Sequence, residues 1–283
     1  MKFNKITVVG LGLIGGSLAL ALKESKQVET VVGIDTNEDS IKYAFDNKII
    51  DEGASDVNEV ISGSEIIVIS TYVGSIPDTA KSVFEIASEG TIITDTGSVK
   101  SSILSKIEPT LPENLHFVAG HPIAGTENSG VESSDSNLFK GKRTVLTPTQ
   151  KTDVEAKSKV KTMWETVGAE VFEIDAQAHD HIFGIVSHLP HVVAYSLINS
   201  VLNAEDSYEL LEFAGGGLKD YTRVSASSPE MWSQIFNANK DQLLDAIAIF
   251  KNSLEKIETA IENEDFETLK RELEKAAKTK RSL

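Results

Sequence analysis

At 283 residues, 40% hydrophobic and 25% charged, the chain has length enough for two ordinary domains with real cores. A formal net charge of −16 repels nucleic acid and anionic membranes, so any site for a small anion must gather Arg or Lys locally. No cysteine occurs, which excludes disulfides, thiolate nucleophiles and cysteine-ligated zinc or iron–sulfur centres.

The chain opens on a β-branched run, Ile6-Thr7-Val8-Val9, which reads as a strand rather than as part of a signal peptide. No apolar run reads as long enough to span a bilayer, and a cytoplasmic protein is expected. Gly10, Gly12 and Gly15 follow with the spacing G-x-G-x-x-G, and helix formers run from Leu18 to Lys23. Gly10 suits a tight turn, Gly12 leaves bare backbone for a pyrophosphate, and Gly15 allows the helix to pack close to the sheet. The helix start at Leu13 and Ile14 would present free N–H groups and a partial positive charge to the phosphates. A second strand, Thr30 to Asp35, ends in a carboxylate twenty residues beyond Gly15. Such a carboxylate accepts from both ribose hydroxyls and repels a 2′-phosphate, which points to NAD rather than NADP. The plainer alternative is that Asp35 only caps the next helix with Thr36 and Asn37.

Further strands read at Ser64–Thr71, Thr91–Asp95, Leu115–Ala119, Arg143–Thr147 and Ala169–Ile174, with helices at Ser40–Asn47, Ile76–Ala87 and Asp153–Val167 between them. This alternation predicts an α/β domain over residues 1–175, a Rossmann-like, doubly wound, mostly parallel sheet. Ligands collect at the C-terminal strand ends of such sheets, where the glycine turn, Asp35, Thr71, Ser98 and His121 all fall.

From Ala176 onward no strand pattern is convincing, and residues 176–283 read as an all-α domain. Ala176 to Leu202 is expected as one helix kinked near Pro190, and Phe213 to Pro229 as a glycine-rich connection. In Lys240–Asn263, Leu243, Ile247, Phe250, Leu254, Ile257 and Ile261 step by fours and threes. That is a heptad seam, buried either in its own domain or against a second subunit.

Six histidines occur, and none demands a metal. His188 and His191 share one helix face, with His179 and His181 ahead of them. A zinc site there lacks an acidic partner motif such as H-E-x-x-H, so hydrogen-bonded interface histidines or a polar cleft for a small anion are the alternatives. His121, at a strand tip on the cofactor edge, suits proton abstraction from an alcohol, and Ser98 is one strand end away to hold its other nitrogen. Arg223 stands ready to grip a carboxylate with two parallel bonds, or to pair with Asp220 or Glu230 at the surface.

These residues together resemble the prephenate dehydrogenase family: the Gly10–Ser17 loop, Asp95-Thr96-Gly97-Ser98-Val99-Lys100, Gly120-His121-Pro122-Ile123-Ala124-Gly125-Thr126-Glu127, Ser187-His188-Leu189-Pro190-His191, and Thr222-Arg223 with Met231-Trp232. The match runs in order over nearly the whole chain. The resemblance implies NAD-dependent oxidative decarboxylation of prephenate to 4-hydroxyphenylpyruvate, in tyrosine biosynthesis. His121 would take or bind the hydroxyl proton, held by Ser98; Arg223 would bind a substrate carboxylate. His191 would lie in the substrate pocket, with Thr126, Glu127 and Trp232 near it and His188 on the same motif. The helical half would form a homodimer. Two departures stand out, Tyr72 where members often have Pro, and Lys219 where many have Arg, which keeps the charge but loses the planar fork. Arogenate dehydrogenase is the close alternative. A β-hydroxyacid dehydrogenase would need a lysine on the first interdomain helix, and none lies between Ala176 and Asn203. A non-catalytic dinucleotide sensor would not need His121, Ser98 and Arg223 together.

Overall fold

Short runs of Ile and Val without polar alternation build a sheet that is covered on both faces. In this computed structural model, which describes residues 2–126 and 128–282, six parallel strands form it. They are β1 (Phe3–Val9), β2 (Val28–Ile34), β3 (Glu52–Ala54), β4 (Ile66–Ile69), β5 (Ile92–Asp95) and β6 (His116–Val118), in the order β3-β2-β1-β4-β5-β6. The period of two sorts each strand between the faces. Ile6, Val8, Ile66 and Val68 pack with Leu18, Leu22, Phe139 and Trp164 on one side. Val9, Ile67, Ile69 and Ile93 pack with Ile76, Val83, Ile103 and Ile107 on the other. Trp232 and Ile235 of the helical half join that second cluster, so the two halves share a core.

Strand β3 escaped the sequence reading because Glu52-Gly53-Ala54 has no β-branched residue. It pairs with Val32–Ile34, and a Cβ on Gly53 would lie 2.5 Å from the Ile41 side chain. A second difference concerns His121. The chain leaves the large sheet after β6, and β7 (Gly120–Pro122) joins β8 (Arg143–Leu146) and β9 (Glu170–Glu173) in a separate three-stranded sheet. β7 runs antiparallel to β8, and β8 parallel to β9.

The helical half starts at Ala176, where the Asp175 carboxylate accepts from the N–H groups of Gln177 and Ala178 at 2.8 and 3.1 Å. Helix Ala176–Phe183 passes into a π-helical turn, Gly184–His188, and continues as Leu189–Leu202. Pro190 has no N–H to give the turn before it, and a wider π turn stands there in place of a regular α-helical one. Within this run of 27 residues an 18-residue stretch has a mean hydropathy of 1.3, so by length and composition the helix does meet the requirement for a membrane span, contrary to the expectation above. Its first turns hold polar side chains buried against the sheet domain, and only 17% of the apolar stretch is covered within one chain. The segment expected as a plain connection contains a short helix, Gly216–Thr222, and a 3-10 turn, Arg223–Ala226, both resting on Leu189–Leu202. Helices Pro229–Ala238, Lys240–Glu262 and Phe266–Arg281 complete the domain.

Candidate active site

The glycine loop sits where its spacing places it, between β1 and the helix Leu13–Ser25. Gly10 has φ +98°, and a Cβ there would come within 2.6 Å of the Ser70 carbonyl oxygen. A Cβ on Gly15 would stand 1.9 Å from the Gly10 carbonyl oxygen. Around Gly12 the space is open to 4 Å. The helix has no side-chain cap and no acidic residue in its first turn, so the N–H groups around Leu13 and Ile14 face a gap with positive polarity. At the β4 tip the buried Thr71 hydroxyl lacks a hydrogen-bond partner among the described residues. Asp35 accepts from Leu11 N at 2.7 Å and from Asn37 N at 2.9 Å. It therefore ties the loop to β2 and steadies the next helix start, while a carboxylate has lone pairs left for ribose hydroxyls. Open backbone, an uncapped helix start and an orphan hydroxyl along one strand edge fit a dinucleotide.

That edge leads without a break to His121. Gly10 packs on Ser70, whose hydroxyl receives that of Thr96 at 3.0 Å. Asp95, at the end of β5, accepts from Gly97 N at 2.9 Å and Gly120 N at 3.1 Å. Lys100 is wholly buried, paired with Asp95, and donates to the Gly120 carbonyl at 2.6 Å. Burial works to lower the Lys100 ammonium, and Asp95 is the main counterweight. This pair pins Gly120 to the end of β5 and thereby aims His121.

The Nδ1 of His121 lies 2.8 Å from Nε2 of His179, and His179 Nδ1 lies 2.8 Å from the Asp180 carboxylate. The hydrogen bond expected from Ser98 does not form among the described residues; His179, on the interdomain helix, occupies that nitrogen. Burial pushes His121 well below its ordinary value, with His179, Lys100 and His188 adding to the effect.

Among the other expected substrate residues, three cluster. His191 stacks on Trp232 with centroids 3.5 Å apart, and His188 meets the same ring edge-on at 6.1 Å. The Asn239 amide donates to His188 Nδ1 at 3.0 Å, which leaves the proton on Nε2, an atom with no partner among the described residues. Burial brings His188 down to about 4. Trp232 Nε1 is likewise buried and unpartnered among those residues. Arg223 is exposed at the start of its 3-10 turn, and Thr126 is exposed in the loop beyond β7. Glu127 lies outside the described residues. Among the described residues no group of three His or carboxylate side chains stands ready for a metal ion.

Sequence reading did not join Lys100, Asp180 and Asn239 to this site; it weighed His179 as an interface or cleft histidine but did not link it to His121. The adjacent His179-Asp180 pair was visible, but nothing local ties it to a histidine 58 residues earlier.

Comparison with known proteins points to one family. Residues 18–173 match the family model "Prephenate dehydrogenase, nucleotide-binding domain", and residues 175–275 match "Prephenate dehydrogenase, dimerization domain". The chain is 36% identical to a Bacillus subtilis prephenate dehydrogenase, over 94% of this chain and 72% of that protein. It is 40% identical to the crystal structure of a prephenate dehydrogenase from A. aeolicus in complex with hydroxyphenyl propionate and NAD+, with a TM-score of 0.93 over 100% of this chain and 98% of that one. A Synechocystis arogenate dehydrogenase is 28% identical with a TM-score of 0.82, over 98% and 99% of the two chains. The chain belongs to the prephenate dehydrogenase family.

Proposed function

We propose that this chain is an NAD-dependent prephenate dehydrogenase of tyrosine biosynthesis, working in the cytoplasm. It oxidises prephenate to 4-hydroxyphenylpyruvate with loss of CO2. The observation that carries the reading is the His121 imidazole on β7, next along the strand edge from the open glycine loop, with Nδ1 engaged. The loop, Thr71 and Asp35 would hold NAD, which when bound supplies the hydride acceptor. His121 Nε2 takes the proton of the substrate hydroxyl as the carbinol carbon is oxidised. Aromatisation of the ring drives the loss of CO2, so the step runs one way. In this reading His188, His191 and Trp232 wall the substrate pocket, with Ser98 and Thr126 beside it. Arg223 grips a substrate carboxylate, which answers the need of a −16 chain to concentrate positive charge locally.

The test is NADH absorbance on adding prephenate to protein and NAD+. Arogenate is the second substrate to try, because the Synechocystis relative is named for it. A large preference for arogenate would replace the substrate and keep the chemistry. Arg223→Ala is expected to raise KM for prephenate by about 10–100-fold with a smaller effect on kcat, since a charge-assisted pair to bound substrate is lost. An unchanged KM would remove Arg223 from the substrate.

The helical half is proposed to pair two copies of the chain. On helix Lys240–Glu262 the heptad seam divides. Leu243 is buried in its own domain, whereas Phe250, Leu254 and Ile261 are 37%, 53% and 60% exposed. With the poorly covered helix Ala176–Leu202, these leave apolar side chains exposed that a second copy would cover. Light scattering on Phe250→Glu/Leu254→Glu is expected to give a mass near the 30.7 kDa of one chain, against about twice that for the wild type. A wild-type mass for the variant would place the contact elsewhere.

A further inference from the structure

The hydrogen bonds around His121 have only one consistent direction. Asp180 accepts from the backbone N–H groups of Lys100 and Ser101, both at 2.8 Å, across the boundary between the two halves. Those donors cannot be reversed, so the carboxylate acts as an acceptor, and it caps the helix Ser101–Ile107, whose own N-cap residue offers no side chain. His179 must then carry its proton on Nδ1 to meet Asp180 at 2.8 Å. A neutral His179 has only a lone pair left on Nε2. His121, 2.8 Å away, must therefore donate from Nδ1, and the free lone pair falls on its Nε2. Phe183 closes against both rings, with centroids 4.9 Å from His121 and 4.5 Å from His179, which limits their rotation.

We infer that His179 and Asp180 are positioning residues that fix the tautomer of His121, presenting Nε2 as the proton acceptor only while the helical half is docked on the sheet domain. This rests on the reading of His121 as the base. One proton moves, from the substrate hydroxyl to Nε2. The positive charge that results on the imidazole is shared through Nδ1–H with His179, and no proton passes along the chain to Asp180. The groups around His121 are His179, Lys100, His188 and Phe183, with Asp180 and Asp95 one step beyond. Burial lowers His179 while Asp180 opposes it, which suits a neutral middle member. For Asp180, burial works upward but hydrogen bonds from His179, Lys100 and Ser101 outweigh it, and the carboxyl lies below its usual range.

Two measurements test the relay. In the wild-type protein with 15N-labelled histidine, the His121 ring, assigned by its loss in His121→Asn, should show a protonated Nδ1 and a bare Nε2 near neutral pH. In His179→Phe, which keeps the ring against Phe183 but offers no lone pair, kcat should fall on the order of 10–100-fold, as for other supporting hydrogen-bond partners. KM for prephenate and NAD affinity should stay within about threefold. His179→Gln, with an amide oxygen for Nδ1–H, should recover most of the rate. A wild-type His121 protonated on Nε2 overturns the relay, and that measurement stands even if the Phe variant fails to fold. So does an undiminished kcat in His179→Phe when His121→Asn is inactive. Full activity in His121→Asn would instead remove the base itself, and the relay with it.

Discussion

Replacing His121 with Asn is expected to lower kcat for prephenate by ~10²–10⁴-fold, the usual weight of a positioned general base. NAD affinity should barely change, because the glycine loop, Thr71 and Asp35 stand on other strand ends. Asn can still bond to His179, but its amide cannot take a proton at neutral pH. The pH profile sharpens the test. Burial, aided by His179, Lys100 and His188, depresses the imidazole well below its ordinary value. A depressed base is unprotonated at neutral pH and is lost only as pH falls through the lowered value. Accordingly kcat/KM of the wild type should run level through the normal histidine range near ~6.5 and drop only below it. The residual activity of His121→Asn should lack that acid limb. Wild-type turnover in the variant would falsify the assignment, and an acid limb centred at the ordinary value would contradict the packing around the ring.

Lys100→Met should destabilise the fold by about 3–5 kcal/mol, the range for breaking a buried ion pair from one side. Lys100 and Asp95 are both fully buried. Without the ammonium, Asp95 keeps only the N–H groups of Gly97 and Gly120, and the Gly120 carbonyl loses its donor. Roughly ten degrees of Tm is the corresponding loss for a chain of this size. The pair stands where β5 ends and β7 begins, so kcat should fall as well, because His121 follows Gly120 directly. Adding Asp95→Asn to Lys100→Met removes the stranded charge and should recover part of the stability. Equal melting of Lys100→Met and wild type would mean that the pair holds nothing together.

The parts of this protein that reading the chain disclosed are those whose physics is local. A β-branched run, a glycine spacing and a terminal carboxylate are contiguous, and each meets its steric or electrostatic need within a few residues of itself. The heptad seam on Lys240–Glu262 was legible for the same reason, though whether its apolar residues face inward or toward another chain was not. β3 was invisible because pairing with β2 and the absence of a Cβ at Gly53, rather than strand propensity, hold it in place. The helix from Ala176 showed its length, but its apolar stretch was not read as long enough for a bilayer, and composition alone does not distinguish a domain helix from a membrane span.

The partners of His121 belong to a different order of information. Residue types at a strand tip announced an imidazole, and chain neighbours nominated Ser98 to hold it. Once folded, the nearest acceptor comes from His179, and Asp180 caps a helix about 80 residues upstream. Lys100 looks in the chain like one more surface cation, and becomes the pin beneath Gly120 only when Asp95 is buried with it. Buried polar groups must find partners or leave a large cost unmet, and which partners they find depends on what folding brings within about 3 Å, not on what lies nearby along the chain.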